Sequence, residues 1–222
     1  MLTCRNMRIK YTLILFILSM GAGLAHAQGT LPGGAGPDPE SALAEDLASR
    51  MHIKTNVVGL GMLMGNAALE FDLLEHWSIA LPVYYSDLNW FADDVKFHIL
   101  SFQPELRFWL SGRNDGVFFG GHLGIAYYNF AFKGDYRYQD HNGDTPAIGA
   151  GLAAGYRLPI SRDKRLKLEF SVGAGLYQLS YDKFNNTPDG KLAGSVQKVY
   201  AGPDQVAVTL SYALGGKKGG DR

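Results

Sequence analysis

From Phe97 to Leu110 the chain reads FHILSFQPELRFWL, and its apolar and polar positions alternate over the whole stretch. His98, Leu100, Phe102, Leu106, Phe108 and Leu110 share one face, and Ser101, Gln103, Glu105 and Arg107 the other, because successive side chains of a strand leave opposite faces. The stretch predicts one stave of a membrane β-barrel, with Glu105 and Arg107 turned to the lumen.

The same period continues from Met51 onward and predicts eight strands, the smallest common outer-membrane barrel. The first, about Ile53 to Leu60, sets Lys54 and Asn56 against Thr55 and Val57. The second turns Leu69, Phe71 and Leu73 out and Glu70 and Asp72 in, and the third carries Trp77, Ile79, Leu81, Val83 and Tyr85 outward. The opening stretch is the fourth, with a bulge or local break expected at Pro104, since proline leaves a ladder donor missing. The fifth runs from Val117 to Tyr127 with His122 inward among small residues. The sixth sets Gly149, Gly151, Ala153, Gly155 and Arg157 inward, and the seventh Lys167, Glu169 and Ser171. The eighth turns Val206, Val208, Leu210, Tyr212 and Leu214 out. Connections at 74–76, 111–116 and 159–165 read as tight inner turns, and those at 86–94, 131–145 and 182–199 as longer outer loops.

The first 27 residues change the address of this barrel. Arg5, Arg8 and Lys10 precede an apolar run ending in Ala25-His26-Ala27, the pattern of a cleaved secretory leader. Its removal takes three of the 21 basic and none of the 21 acidic residues, so the mature chain is acidic by three. Cys4 leaves with it, and disulfides and thiolate metal sites are excluded. Residues 28–50 read as a Gly/Pro linker and a short N-terminal helix starting at Asp38-Pro39, 51–214 as the barrel and 215–222 as a flexible tail. The expected location is the outer membrane.

Lys54, Glu70, Glu105, Arg107, Arg157, Lys167 and Glu169 all fall on the inward face and predict an ion-pair network filling a narrow lumen. Small residues on the sixth strand fit that narrowness. No metal site, cofactor or nucleic-acid surface is expected: histidines lack ligand spacing, loop acids such as Asp140, Asp144 and Asp182 read as solvated, and no basic patch is present. His98 and Ser101 lie on opposite faces, and His122 stands among glycines, so a catalytic reading finds no nucleophile with a base in reach. Trp77, Trp90, Trp109, Tyr127, Tyr128, Tyr156 and Tyr212 are expected near strand ends, where interfacial aromatics sit.

Lys54-Thr55-Asn56, the segment QPELRFW at 103–109, the glycine-rich sixth and seventh strands, Tyr181-Asp182-Lys183 and Tyr200-Ala201-Gly202-Pro203 resemble an uncharacterised domain-of-unknown-function family of small Bacteroides-type outer-membrane barrels. The resemblance implies an eight-stranded antiparallel up-and-down transmembrane β-barrel, an outer-membrane address and, from company kept with fimbrial genes, a part in surface-fibre assembly. The expected role is non-enzymatic: a monomeric structural or surface-interaction module that meets outer-membrane lipid, the barrel-assembly machinery and an unknown surface partner through its outer loops. The alternatives are a narrow pore, a lipid-modifying enzyme and a secreted lipocalin-like binder.

Overall fold

A computed structural model describes residues 39–89, 94–112, 114–187 and 189–215. The leader, most of the linker, Trp90 and all but the first residue of the C-terminal tail lie outside the described residues. A short helix, α1 (Pro39–Ser49), precedes an all-β body. Its strands are β1 (Met51–Asn56), β2 (Gly65–Leu74), β3 (Trp77–Asn89), β4 (Val95–Phe102), β5 (Glu105–Trp109), β6 (Gly116–Phe132), β7 (Tyr136–Asp140), β8 (Ala147–Pro159), β9 (Leu166–Asn185) and β10 (Leu192–Ala213). A single turn of helix, α2 (Val57–Gly61), follows β1.

Every pairing is antiparallel and up-and-down. β1 pairs β2, β2 pairs β3, and β3 pairs both β4 and β5, which in turn pair β6. β6 pairs β7 and β8, both pair β9, and β9 pairs β10. β10 then pairs β1, from His52 opposite Ala213 to Asn56 opposite Thr209, so the pairings return to where they began.

Four expectations are corrected. Ten strand segments replace eight, because β4 and β5 part at Gln103-Pro104 and because β7 is a separate strand. The first strand ends at Asn56: its side chain caps α2 by accepting from the Val58 N–H, and the Asn66 amide donates to the Asn56 carbonyl, so 57–60 turn into helix. The presumed loop at 131–145 holds β7, tied to β9 from Tyr136 opposite Asn185 to Asp140 opposite Tyr181. The presumed loop at 182–199 is mostly the upper arms of a β9–β10 hairpin, turning only at 186–191. The expected break at Pro104 is present, and it leaves the register against β3 unshifted: Val83 faces Phe102 and Ala80 faces Glu105.

Burial along these strands is inverted relative to a water-soluble sheet. Glu70 and Arg157 are 0% exposed, whereas Leu152 is 75% and Val206 63% exposed. In β5, Glu105, Arg107 and Trp109 are buried, and Leu106 and Phe108 between them are exposed. The interior is polar and the exterior apolar.

Candidate functional site

The buried face carries three successive zones. At the turn end, strands β1, β2, β5, β8 and β9 each present a charged side chain to one cluster. Lys54 Nζ donates to Glu70 at 2.8 Å and to both Glu169 oxygens at 3.0 Å. Arg107 bonds Glu169 through Nη1 and Glu105 through Nη2, both at 3.0 Å. Arg157 Nη2 reaches Glu70 at 2.5 Å and Glu169 at 2.6 Å, and its Nε gives a second bond to Glu169 at 2.9 Å. Three cations thus meet three carboxylates, which is the condition under which charges can leave water. Aromatic rings cover the cluster: Arg157 lies 4.4 Å over Trp109, Arg107 4.5 Å over Phe118, and the two rings meet at 4.8 Å. Trp109 Nε1 donates to Ser78 Oγ at 2.9 Å, and that hydroxyl donates to Glu70 at 2.8 Å. The space left above the cluster is only about 30 Å³, room for one or two waters.

The middle zone centres on His122, whose Nε2 is 2.7 Å from Asp204 Oδ2. Asp204 lies at a register shift: Pro203 faces Ala174 and Gln205 faces Gly173, so Asp204 has no opposite residue. A bulge of this kind re-aims one side chain, here inward. Tyr177 lies beside the same carboxylate. A Cβ at Gly151 would strike His122 and Asp204, one at Gly175 would strike Asp204, one at Gly124 or Gly149 would strike Tyr177, and one at Gly155 would strike Phe118. The glycine-lined face is thus small because these side chains, and the backbone carbonyls of Ala150, Phe170, Ala174 and Leu176 on the paired strands, take the space. His122 Nδ1 and Asp204 Oδ1 are buried without a hydrogen-bond partner among the described residues.

The third zone is an open cavity of about 590 Å³ toward the far end, lined by Phe97, Phe130, Phe132, Tyr138, Leu179 and Tyr181 among others. Phe130 packs on Phe132 at 5.8 Å and on Tyr138 at 5.6 Å. Beyond it the loops are tied together, since Asn186 Nδ2 donates to the carbonyls of Asp94 and Gly134 and its N–H to Asp135. Asp140 and Asp182, expected as solvated loop acids, are instead buried in β7 and β9: Asp182 accepts from Ser195, from the Asn142 N–H at 3.0 Å, and meets His141 Nδ1 at 2.8 Å.

Of the seven charges expected to interact, Lys54, Glu70, Glu105, Arg107, Arg157 and Glu169 form the cluster. Lys167 stands apart, bonded to Asp115 at 2.6 Å and to the Asn114 carbonyl at 3.4 Å. Trp109 is not an interfacial aromatic: its odd position in β5 puts it on the charged face at 0% exposure. Tyr128 lines the cavity, whereas Trp77, Tyr156 and Tyr212 are exposed. Sequence reasoning missed Asp204, Tyr177 and Asp115; the only available signal was Pro203-Asp204 inside an otherwise alternating strand. Among the described residues no group of three or more His, Cys, Asp or Glu is arranged to hold a metal ion, and no helix is long and apolar enough to cross a membrane.

A family model described as a protein of unknown function, DUF3575, matches residues 40–214, the helix and all ten strands. The chain belongs to the DUF3575 family. No curated protein and no solved structure matches it. The match takes in the charged cluster, the His122–Asp204 pair and the cavity of this DUF3575 chain.

Proposed function

We propose that the ten strands make eight staves, β4 with β5 and β7 with β8 each counting as one, closed into a barrel that spans the outer membrane. The inverted burial carries this reading: exposed Leu123, Leu152, Val172, Leu176 and Val206 alternate along the same sheet with fully buried glutamates and arginines. Water-soluble monomers rarely expose so large an apolar surface. The return of the pairings to β1 removes the open sheet edges that lipid cannot tolerate. A secretory leader at 1–27 supplies the route.

Within that membrane the protein acts as a non-enzymatic scaffold and interaction module. The charged cluster fills the inner end instead of conducting through it, given a residual gap of about 30 Å³. Outer-membrane lipid covers the apolar face, the barrel-assembly machinery inserts the monomer, and the tied loops at 133–135, 141–146 and 186–191 face a surface partner. The resemblance to Bacteroides-type barrels makes a component of surface fibres the first partner to test.

The deciding experiment expresses the chain with its leader, separates inner from outer membranes on a density gradient, and runs the detergent-extracted protein unboiled and boiled alongside circular dichroism. An outer-membrane fraction with a heat-shifted, β-rich band is expected. A β-rich protein released into the soluble fraction and stable without detergent would overturn the membrane reading.

A further inference from the structure

At the aromatic cavity two ammoniums, of Lys183 and Lys198, lie over rings instead of against carboxylates. Lys183 Nζ sits 4.0 Å from the Tyr136 ring and 6.0 Å from that of Tyr138, and Lys198 Nζ 5.6 Å from that of Tyr181. Among the described residues neither ammonium makes an ion pair, although every cation of the cluster at the other end has a carboxylate within 3.0 Å. Lys198 is opposite Leu179 and Lys183 opposite Tyr138, so both leave their strands on the cavity side. One acid, Asp140, shares this face, buried opposite Tyr181, so the two lysines leave the cavity with an excess of positive charge. Lys198 lines the cavity and Lys183 borders it across Tyr138; the walls are mainly apolar, from Phe97, Phe130, Phe132 and Leu179 with His98 among them, and a cavity of about 590 Å³ falls in the range that holds a small ligand.

We propose that this cavity binds a single-chain anionic amphiphile of the fatty-acid class, with the hydrocarbon chain among the phenylalanines and the head group between Lys183 and Lys198. An aromatic wall rewards an aliphatic chain by area, and two ammoniums that make no ion pair among the described residues favour an anionic head. A cationic head would meet two ammoniums, and a neutral one would leave them unused. The inference does not depend on the membrane, since the cavity belongs to the sheet alone.

The test uses the full mature chain held in amphipol, so that no detergent chain competes, and radiolabelled dodecanoate in equilibrium dialysis. Saturable binding of one dodecanoate per chain is expected, with dodecanol weaker by about tenfold and dodecyltrimethylammonium weaker still. Lys198→Glu, a change at an exposed position, is expected to weaken dodecanoate by tenfold or more while leaving dodecanol unchanged. Ala126→Phe, which fills the cavity, is expected to abolish binding of both with the circular dichroism spectrum retained. No saturable binding to folded wild-type protein, equal affinity for the cationic amphiphile, or binding that survives Ala126→Phe in a folded protein would each overturn the proposal. A protein found to be soluble would remove the membrane reading and leave this one standing.

Discussion

The two ends of the buried face use the same sheet in opposite ways. At the turn end, six charged side chains and two aromatic rings leave about 30 Å³, and every carboxylate has a cation. At the loop end, rings from β4, β6, β7 and β9 surround about 590 Å³, and among the described residues Lys183 and Lys198 make no ion pair. Density and ion pairing hold strands together, even with Glu105 Oε1 and Arg107 Nε left without a hydrogen-bond partner among the described residues; an open volume beside unpaired ammoniums favours a ligand from outside. The comparison locates stability at one end and recognition at the other.

The sharpest way to break that division is Arg157→Met, which strips Glu70 and Glu169 of a shared partner. Removing one member of a buried ion cluster costs about 3–5 kcal/mol, so loss of the heat-shifted band at ordinary refolding temperature is expected. A fully folded Arg157→Met would show that the cluster is not the structural core. Gly151→Val should come next, at about 1–3 kcal/mol from overpacking against His122 and Asp204, read as a lower urea midpoint. Phe130→Ala, in the cavity wall, should cost about 1 kcal/mol or less, since its ring already borders open space and the fully buried figure of about 3–5 kcal/mol does not apply. Stability losses as large as those at Arg157 would erase the contrast between the ends. The smallest effect is expected at Asp163 in the β8–β9 turn, whose carboxyl is held below its usual value by the Ser161 hydroxyl and the Arg165 N–H. A carboxylate favoured by folding contributes above its unfolded pKa of about 3.9 and loses that contribution as pH falls through the folded value. Asp163→Asn should therefore leave the unfolding midpoint nearly unchanged at pH 7 and flatten its slight fall on acidification.

Period-two alternation was enough to assign faces, which is why Glu105 and Arg107 could be set against Leu106 and Phe108 before any coordinates. The interruption at Pro104 came from a different signal, the missing donor of proline. Alternation failed where a side chain acts across the chain instead of along it. Val57-Val58-Gly59-Leu60 has strand-like residues, but the caps from Asn56 and Asn66 decide for helix. Tyr136 to Asp140 alternates over too few residues to be told from a loop, and only pairing with β6 and β9 makes it a strand. Asp204 was illegible because a bulge erases the parity from which its direction would be read.

The pairing of β1 with β10 also governs timing. His52 meets Ala213, and Lys54 reaches Glu169 across 115 positions. Contacts so distant in sequence pay their loop-closure entropy before they return anything, which makes folding slow. Lys54 therefore stays without Glu169 until the ninth strand has been synthesised, and β1 without its closing neighbour until the tenth. Throughout that wait the leucines of the outer face have no closed sheet behind them, so the unfinished chain is exposed to aggregation in a way that the strength of the finished core does nothing to prevent.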